Sequence, residues 1–187
     1  MAETTEKPLT LIALRHSGTH LIQPIMRRLS NKTVYAPKGN DAVQCTPSEK
    51  VVIFLRDPRD TIVSQARYKN AGLVEGKADR RIVRLLKRGD ETPVAHMTKW
   101  ASRWATGAGL IVRFEELTDP ATRREQVERI RDYIGGGDVD DAIAYAFGKS
   151  VTWTGKHSKW RDWFGPEATK MWKKQNGAHL VALMGYK

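Results

Sequence analysis

Three short apolar runs constrain the fold more than any other feature of this 187-residue chain. They span residues 9–14, 51–55 and 110–114, and none alternates apolar with polar residues as a half-exposed strand does. Continuous apolar strands are typical of parallel sheets, which are covered on both faces. Because segments with helical periodicity separate the runs, the sequence predicts an α/β fold. We expect a three-layer sandwich around a central, mostly parallel sheet of about four strands, of the P-loop-NTPase-like type.

The remaining elements follow from helix start and stop signals. A short strand is predicted at 33–36, and Pro24 inside the first helix predicts a kink or a distorted turn there. The length suits a single domain, 1–187. The predicted helices span 19–29, 58–69, 80–87, 94–106, a segment from 118–120 to Gly135, 139–147, and a last one from Pro166.

The charge balance points to anionic partners. The chain carries 32 Lys and Arg against 21 Asp and Glu, a net charge of +11, and the excess is concentrated at 77–88 and 149–174. Such runs are either solvated helix faces or binding surfaces, and the sequence leaves both open for 77–88. No apolar run approaches the roughly 20 residues of a membrane span, and Cys45 is the only cysteine. We therefore expect a cytoplasmic protein without an internal disulfide.

Ligands of parallel sheets bind beyond the carboxyl ends of the strands, so the segments after the first two strong strands are candidate sites. Residues 14–21, Leu-Arg-His-Ser-Gly-Thr-His-Leu, combine a tight turn with a helix start. Backbone amides and the helix dipole would favour a phosphate there. The alternative is an ordinary helix N-cap, which would account for Ser17 and Thr19. The pattern is not a Walker A loop.

The second candidate segment follows the strand at 51–55. Arg56 stands at the strand end, and Ser64 falls about two helical turns later. An arginine fork and a hydroxyl could hold one phosphate group between them. The alternative is that Arg56 forms a structural salt bridge with Asp57 or Asp60.

These two segments resemble the motifs of sulfotransferases that use 3′-phosphoadenosine-5′-phosphosulfate (PAPS). Residues 15–19 resemble the 5′-phosphosulfate loop of that family, and residues 55–60 with Ser64 are similar to its 3′-phosphate motif at the same Arg-to-Ser spacing. Residues 112–117 are similar to the family's strand ending in Tyr-Glu-Asp-Leu. Residues 155–167 resemble its late Gly-Lys-Val-Gly-Asp-Trp-Arg segment. The resemblance runs from about residue 9 to 186.

The resemblance implies a role for each matching position. PAPS would be the sulfuryl donor, the nucleotide 3′-phosphoadenosine-5′-phosphate (PAP) the product, and a hydroxyl or amine the acceptor, with no metal. Trp100, Trp104, Trp160 and Trp163 are expected to be core or anchor residues. The implied binding residues are Arg15, His16, Ser17, Gly18, Thr19, His20 and Leu21 for the phosphosulfate, Arg56 and Ser64 for the 3′-phosphate, Gly155 and Lys156 in the loop over it, and Phe114 near the adenine, with Phe147 either stacking there or packing in the core.

Two positions depart from the family's pattern. The family usually has Lys in its first loop, where it stabilises developing negative charge, and His16 stands there instead. His16 or its neighbour Arg15 is expected to supply that donor. No His lies between His20 and Arg56, so the base that activates the acceptor is open among His20, Asp41 and Glu49.

Three other functions compete with the sulfotransferase hypothesis. A P-loop-type kinase shares the strand–loop–helix arrangement, but the first loop lacks its Lys-Ser/Thr pair. A basic nucleic-acid-binding module is supported by charge alone. A protein of this fold without catalytic activity would only bind. The sequence names neither the acceptor nor the oligomeric state.

Overall fold

A parallel sheet stands at the centre of the fold. The structure is a computed structural model that describes residues 9–37, 50–68, 78–149 and 160–187. The strands β1 (Leu9–Ala13), β2 (Val34–Tyr35), β3 (Val51–Leu55) and β4 (Leu110–Arg113) lie in the order β2-β1-β3-β4, all parallel. Every residue of β1 and β3 is buried. Because side chains alternate between the faces of a strand, both faces of the sheet are covered, and the predicted α/β fold class is confirmed.

Helices connect these strands and follow them. The first begins directly after Gly18 and stays continuous through Pro24. A 3₁₀ turn covers Trp160–Asp162. The helices are α1 (Thr19–Ser30), α2 (Pro58–Tyr68), α3 (Asp79–Leu86), α4 (Pro93–Trp104), α5 (Phe114–Thr118), α6 (Arg123–Ile134), α7 (Val139–Lys149), α8 (Pro166–Lys174) and α9 (Gly177–Leu183).

The contacts within the chain divide it into two compact units. The first takes in the described residues of 1–13, 18–54 and 108–154, and it contains nearly all of the sheet with α1, α5, α6 and α7. Its core is built from β1, β3 and α1, with α6 and α7 packed on α1. The second takes in the described residues of 14–17, 55–107 and 155–187. There α2, α3, α4, α8 and α9 pack on one another, and Trp100 of α4 is fully buried. The single-domain organisation stays a prediction.

One helix boundary was predicted wrongly. The sequence favours a strand through Phe114 and a helix from 118–120, whereas β4 ends at Arg113 and Phe114 begins the short helix α5. The carboxylate of Asp119 accepts the N–H of Ala121 (3.0 Å), which forms a turn after α5. The long helix α6 therefore begins only at Arg123.

Within the described parts of the chain, no helix has the length and apolarity needed to cross a membrane. The described residues also contain no cluster of three or more His, Cys, Asp or Glu side chains that could bind a metal ion. Cys45, Asp41 and Glu49 lie outside the described residues.

Candidate functional site

The loop between β1 and α1 is a tight turn held by its own backbone. Ser17 is fully buried, and both its hydroxyl (2.6 Å) and its N–H (3.3 Å) donate to the carbonyl oxygen of Leu14. His16 has a φ of 65°, a left-handed conformation that costs a non-glycine residue about 1–3 kcal/mol unless its surroundings hold it. The donors of Ser17 thus shape the turn, while Arg15 is exposed and His16 is half-buried.

Arg56 connects this loop to the end of β3. Its side chain is buried, and Nη1 donates to the carbonyl oxygen of His16 at 3.1 Å. The two residues are 40 positions apart and belong to the same compact unit. The two segments singled out in the sequence are therefore in direct contact, and a guanidinium lies at the strained residue of the loop.

The helix α2 adds an aromatic ring beside His16. The ring of Tyr68 lies 5.2 Å from the imidazole, centroid to centroid, tilted by 52°. Ser64 is half-buried and lies one turn before Tyr68, so both residues share one face of α2. Tyr68 is 76% exposed despite this contact. Sequence analysis missed Tyr68, although its spacing of four residues from Ser64 could have placed it on the same face.

Asp57 caps α2 and pairs with Arg59. Its carboxylate accepts the backbone N–H of Arg59 at 2.9 Å, and Pro58 occupies the first helical position, where its missing N–H costs nothing. The guanidinium of Arg59 forms a bidentate pair with the same carboxylate, with Nη2 at 2.6 Å from Oδ2. It also donates to the backbone oxygen of Lys187 (2.7 Å) and lies 4.3 Å above the ring of Trp160. Asp57 thus forms a structural ion pair with Arg59. The alternative that Arg56 pairs with Asp57 or Asp60 stays a prediction.

In the sheet-containing unit, Gly18 begins the helix α1. Its φ of 97° is left-handed, and a Cβ at this position would lie 2.6 Å from Cε2 of Phe114. Glycine is therefore required by backbone conformation and by packing. The amides of Thr19 and His20 stand in the open first turn of the helix, where no intrahelical acceptor exists. His20 is exposed, whereas Leu21 is buried in the core.

The two phenylalanines expected near the adenine have defined contacts in the same unit. Phe114 is buried against Gly18 and, edge to face, against Phe54 at 6.2 Å. Phe147 packs against the core of that unit, and the guanidinium of Arg123 lies 3.8 Å from its ring centroid. These contacts support the core alternative for Phe147. Adenine contact by either ring stays a prediction.

The other expected positions divide into buried and undescribed ones. Trp100, Trp104 and Trp163 are buried, as predicted for core residues, and Trp160 is half-buried beneath Arg59. Gly155 and Lys156 lie outside the described residues.

Comparison with known proteins supports the class of this fold. The crystal structure of mouse sulfotransferase SULT7A1 complexed with PAP superposes with a TM-score of 0.65, covering 97% of this chain and 89% of that one. The sequence identity is 14%, so the likeness establishes a sulfotransferase fold. No family model matches the sequence, and neither does any curated protein.

Proposed function

We propose that the chain is a PAPS-dependent sulfotransferase, which transfers a sulfuryl group to a hydroxyl or amine acceptor. The observation that carries the proposal is the hydrogen bond from Arg56 to the carbonyl of His16, because it joins the two segments that resemble the family's nucleotide motifs. PAPS would supply the activated sulfuryl group: the acceptor atom bonds to sulfur, the bond from sulfur to the 5′-phosphate oxygen breaks, PAP leaves with that electron pair, and the acceptor proton passes to a base or solvent.

The 3′-phosphate of the nucleotide would be bound by Arg56 and Ser64. The Arg56 guanidinium is buried beside His16, and Ser64 lies on the face of α2 that Tyr68 turns toward His16. A guanidinium can bind a phosphate through two parallel hydrogen bonds. By resemblance, Gly155 and Lys156 would close over the same phosphate.

The phosphosulfate would be bound mainly by backbone amides. Gly18, Thr19 and His20 provide N–H groups at the start of α1, where the helix dipole favours an anion. The hydroxyl of Thr19 would add a donor. Ser17 would contribute chiefly by maintaining the turn, because its hydroxyl donates to Leu14.

His16 would donate to the bridging oxygen as negative charge develops there. Its backbone is held by Arg56 and its ring by Tyr68, whereas Arg15 is exposed and forms no ion pair among the described residues. A donor held in place costs little reorganisation during the reaction, which favours His16 over Arg15. His20 remains the candidate base on the described part of the chain.

Nucleotide binding tests the proposal directly. PAP should raise the melting temperature, and adenosine 5′-phosphosulfate, which lacks the 3′-phosphate, should raise it far less; ligand at about 100 times its Kd adds roughly 2.7 kcal/mol. Equal shifts from both nucleotides would count against the 3′-phosphate site. A larger shift from ATP with Mg²⁺ would favour the kinase alternative.

Turnover tests the donor. His16→Ala should lower kcat by roughly 10²–10³-fold, as loss of an oxyanion-hole donor does, with much less effect on PAP affinity. His16→Lys should retain activity because it restores a cationic donor. A fully active His16→Ala variant beside an inactive Arg15→Ala variant would assign the role to Arg15.

A further inference from the structure

The arginine-rich helix α3 carries cations that the proposed nucleotide site does not use. The cations Arg80, Arg84, Lys87 and Arg88 follow the spacing i, i+4, i+7, i+8, and all four are exposed. The opposite face of the helix buries Ile82, Leu85 and Leu86. The four cations therefore form one stripe on the solvent side of α3.

A second basic helix lies alongside the first. The Asp79 carboxylate accepts the N–H of Ala168 (2.8 Å) and of Glu167 (3.3 Å) at the start of α8. The side-chain amide of Gln175, just after α8, donates to the carbonyl of Leu86 at the end of α3 (2.8 Å). The two helices thus pack side by side with their N-termini at one end and their C-termini at the other.

Both helices expose cations on the side opposite their buried residues. On α8, exposed Lys170, Lys173 and Lys174 lie opposite the buried Ala168 and Trp172. We define the α3–α8 basic surface by Arg80, Arg84, Lys87, Arg88, Lys170, Lys173 and Lys174.

No carboxylate of the described residues forms an ion pair with these seven cations. Asp79, the acidic residue of α3, is bound to the start of α8. Glu91, a few residues beyond α3, pairs with Lys99 (2.5 Å). Exposed Glu167, at the N-terminal end of α8, and exposed Asp90, two residues after Arg88, are the acidic residues left beside the seven cations. The positive potential of the surface is therefore largely uncompensated from within the described chain.

Helix dipoles account for only part of this arrangement. Cations near a helix C-terminus are stabilising, which explains Lys87, Arg88, Lys173 and Lys174. Arg80 is the second residue of α3, where a cation opposes the dipole, and Arg84 and Lys170 lie mid-helix. Their positions add repulsion without a compensating contact, which points to an external anion.

The dimensions and composition of the surface indicate what kind of anion it fits. From Arg80 to Lys87, which caps α3, the stripe is about 10 Å long at 1.5 Å per residue, and neighbouring helices lie about 8–10 Å apart. Such a surface can contact several charges of one extended polymer. Of the described residues, the large hydrophobic side chains that are exposed are Tyr35 and Tyr68, on other elements. The surface thus lacks the apolar anchors of membrane-binding helices and the aromatic rings that stack on single-stranded nucleic acid.

We propose that the α3–α8 basic surface binds an acidic polysaccharide and that this polymer is the acceptor of the sulfuryl transfer. The acceptor assignment rests on the function proposed above. A polysaccharide with carboxylate or sulfate groups supplies both the anions that Arg forks bind and the hydroxyls that the reaction consumes. The helix α3 packs against α2, which carries Ser64, within the same compact unit. The surface thus belongs to the unit that carries Arg56 and His16.

Binding of a sulfated decasaccharide, measured without nucleotide, tests the surface. The variant Arg80→Gln/Arg84→Gln/Arg88→Gln should bind it at least about tenfold more weakly and show a shallower dependence on salt between about 50 and 200 mM. The matched control Arg27→Gln/Arg124→Gln/Arg131→Gln removes three arginines from the other unit. Both variants have a net charge of 11 − 3 = +8, and the control should bind within about threefold of the wild type. PAP affinity should be unchanged in both.

Four outcomes decide the proposal. An equal loss of decasaccharide binding in the two triple variants would show that binding depends on net charge alone, and it would overturn the proposal. Tighter binding of duplex DNA or RNA of the same charge would make it a nucleic-acid surface instead. Displacement of the decasaccharide by PAP would place the sugar in the nucleotide site. Decasaccharide binding lost only in the α3 variant, in a protein that PAP does not stabilise, would support the surface while rejecting the sulfotransferase function.

Discussion

Two arginine-rich segments of the same compact unit differ completely in their surroundings. In residues 56–59, Arg56 and Arg59 are buried, and each has a defined acceptor: the His16 carbonyl and the Asp57 carboxylate. In residues 80–88, the exposed arginines contact no carboxylate of the described residues. The first segment lies at a strand end inside the unit, and the second lies on the outer face of a helix.

The difference shows what an arginine contributes in each environment. A buried guanidinium must be compensated, because an unpaired charge away from water is costly. An exposed guanidinium remains solvated, so it contributes little to stability and keeps its charge available for a partner. Substitutions in the two segments should therefore have different effects. Those in residues 56–59 should change folding and nucleotide binding, and those in residues 80–88 should change polymer binding.

The largest effect is expected at Arg59. Arg59→Ala leaves the buried Asp57 carboxylate without its bidentate partner and removes the contact with Trp160, so the free energy of unfolding should fall by about 3–5 kcal/mol. Chemical denaturation measures it. The double variant Asp57→Asn/Arg59→Met keeps the helix cap but removes both charges, and it should recover part of the loss. If Arg59→Ala were as stable as the wild type, the buried pair would not stabilise this segment.

A smaller effect is expected at Arg56, mainly on binding. Arg56→Ala should weaken PAP binding by roughly 1.5–3 kcal/mol, the range for a hydrogen bond to a charged group. Titration calorimetry measures it, with Ser64→Ala as a comparison that should lose less. A variant that unfolds yet binds PAP normally when folded would assign Arg56 to structure alone.

Glu91 provides an intermediate case, exposed but paired. The pKa of the Glu91 carboxyl is lowered chiefly by the Lys99 ammonium, which donates a hydrogen bond to it at 2.5 Å. His96, on the same helix as Lys99, lowers it further. The ionised carboxylate is the stabilised form, so its contribution is present above the ordinary carboxyl pKa and is lost as pH falls through the lowered pKa.

Glu91→Gln should therefore destabilise the protein by only about 0.2–1 kcal/mol near neutral pH, because the side chain is 36% exposed and solvent screens the pair. Below the lowered pKa, the variant and the wild type should have equal stability. Urea denaturation at both pH values measures the difference, and an unchanged difference at low pH would contradict the charge pairing.

The smallest effect is expected at Arg80. Arg80→Gln removes an exposed cation from the first turn of α3, so the free energy of unfolding should change by no more than about 0.5 kcal/mol. The change should be a gain, because a cation at this end of a helix opposes the helix dipole. Thermal denaturation at low salt measures it. Ion pairs of exposed side chains contribute at most about 1 kcal/mol. A larger loss of stability would show that Arg80 is a structural residue like Arg59.

Local patterns predicted most of the fold. The strand at Val51–Leu55 was predicted to the residue because its apolar run ends abruptly at Arg56. The start of α2 followed from Pro58, which suits the first position of a helix, and the structure adds the cap from Asp57. The boundary at Phe114 was wrong because an apolar residue at a strand end is equally compatible with another strand position or a helix start. In such a case packing against Gly18 and Phe54 decides.

Sequence by itself determined the strands, the tight loop before α1 and the positions of Arg56 and Ser64, because these depend on residues close together along the chain. Only the tertiary structure decided which acceptor each charged group meets. It joined Arg56 to the His16 carbonyl, bound Asp79 to the start of α8 and placed Tyr68 against the imidazole. These partners lie 40 to 89 residues apart. No local pattern specifies them, since each hydrogen bond or ring contact forms only after packing has brought the two segments together.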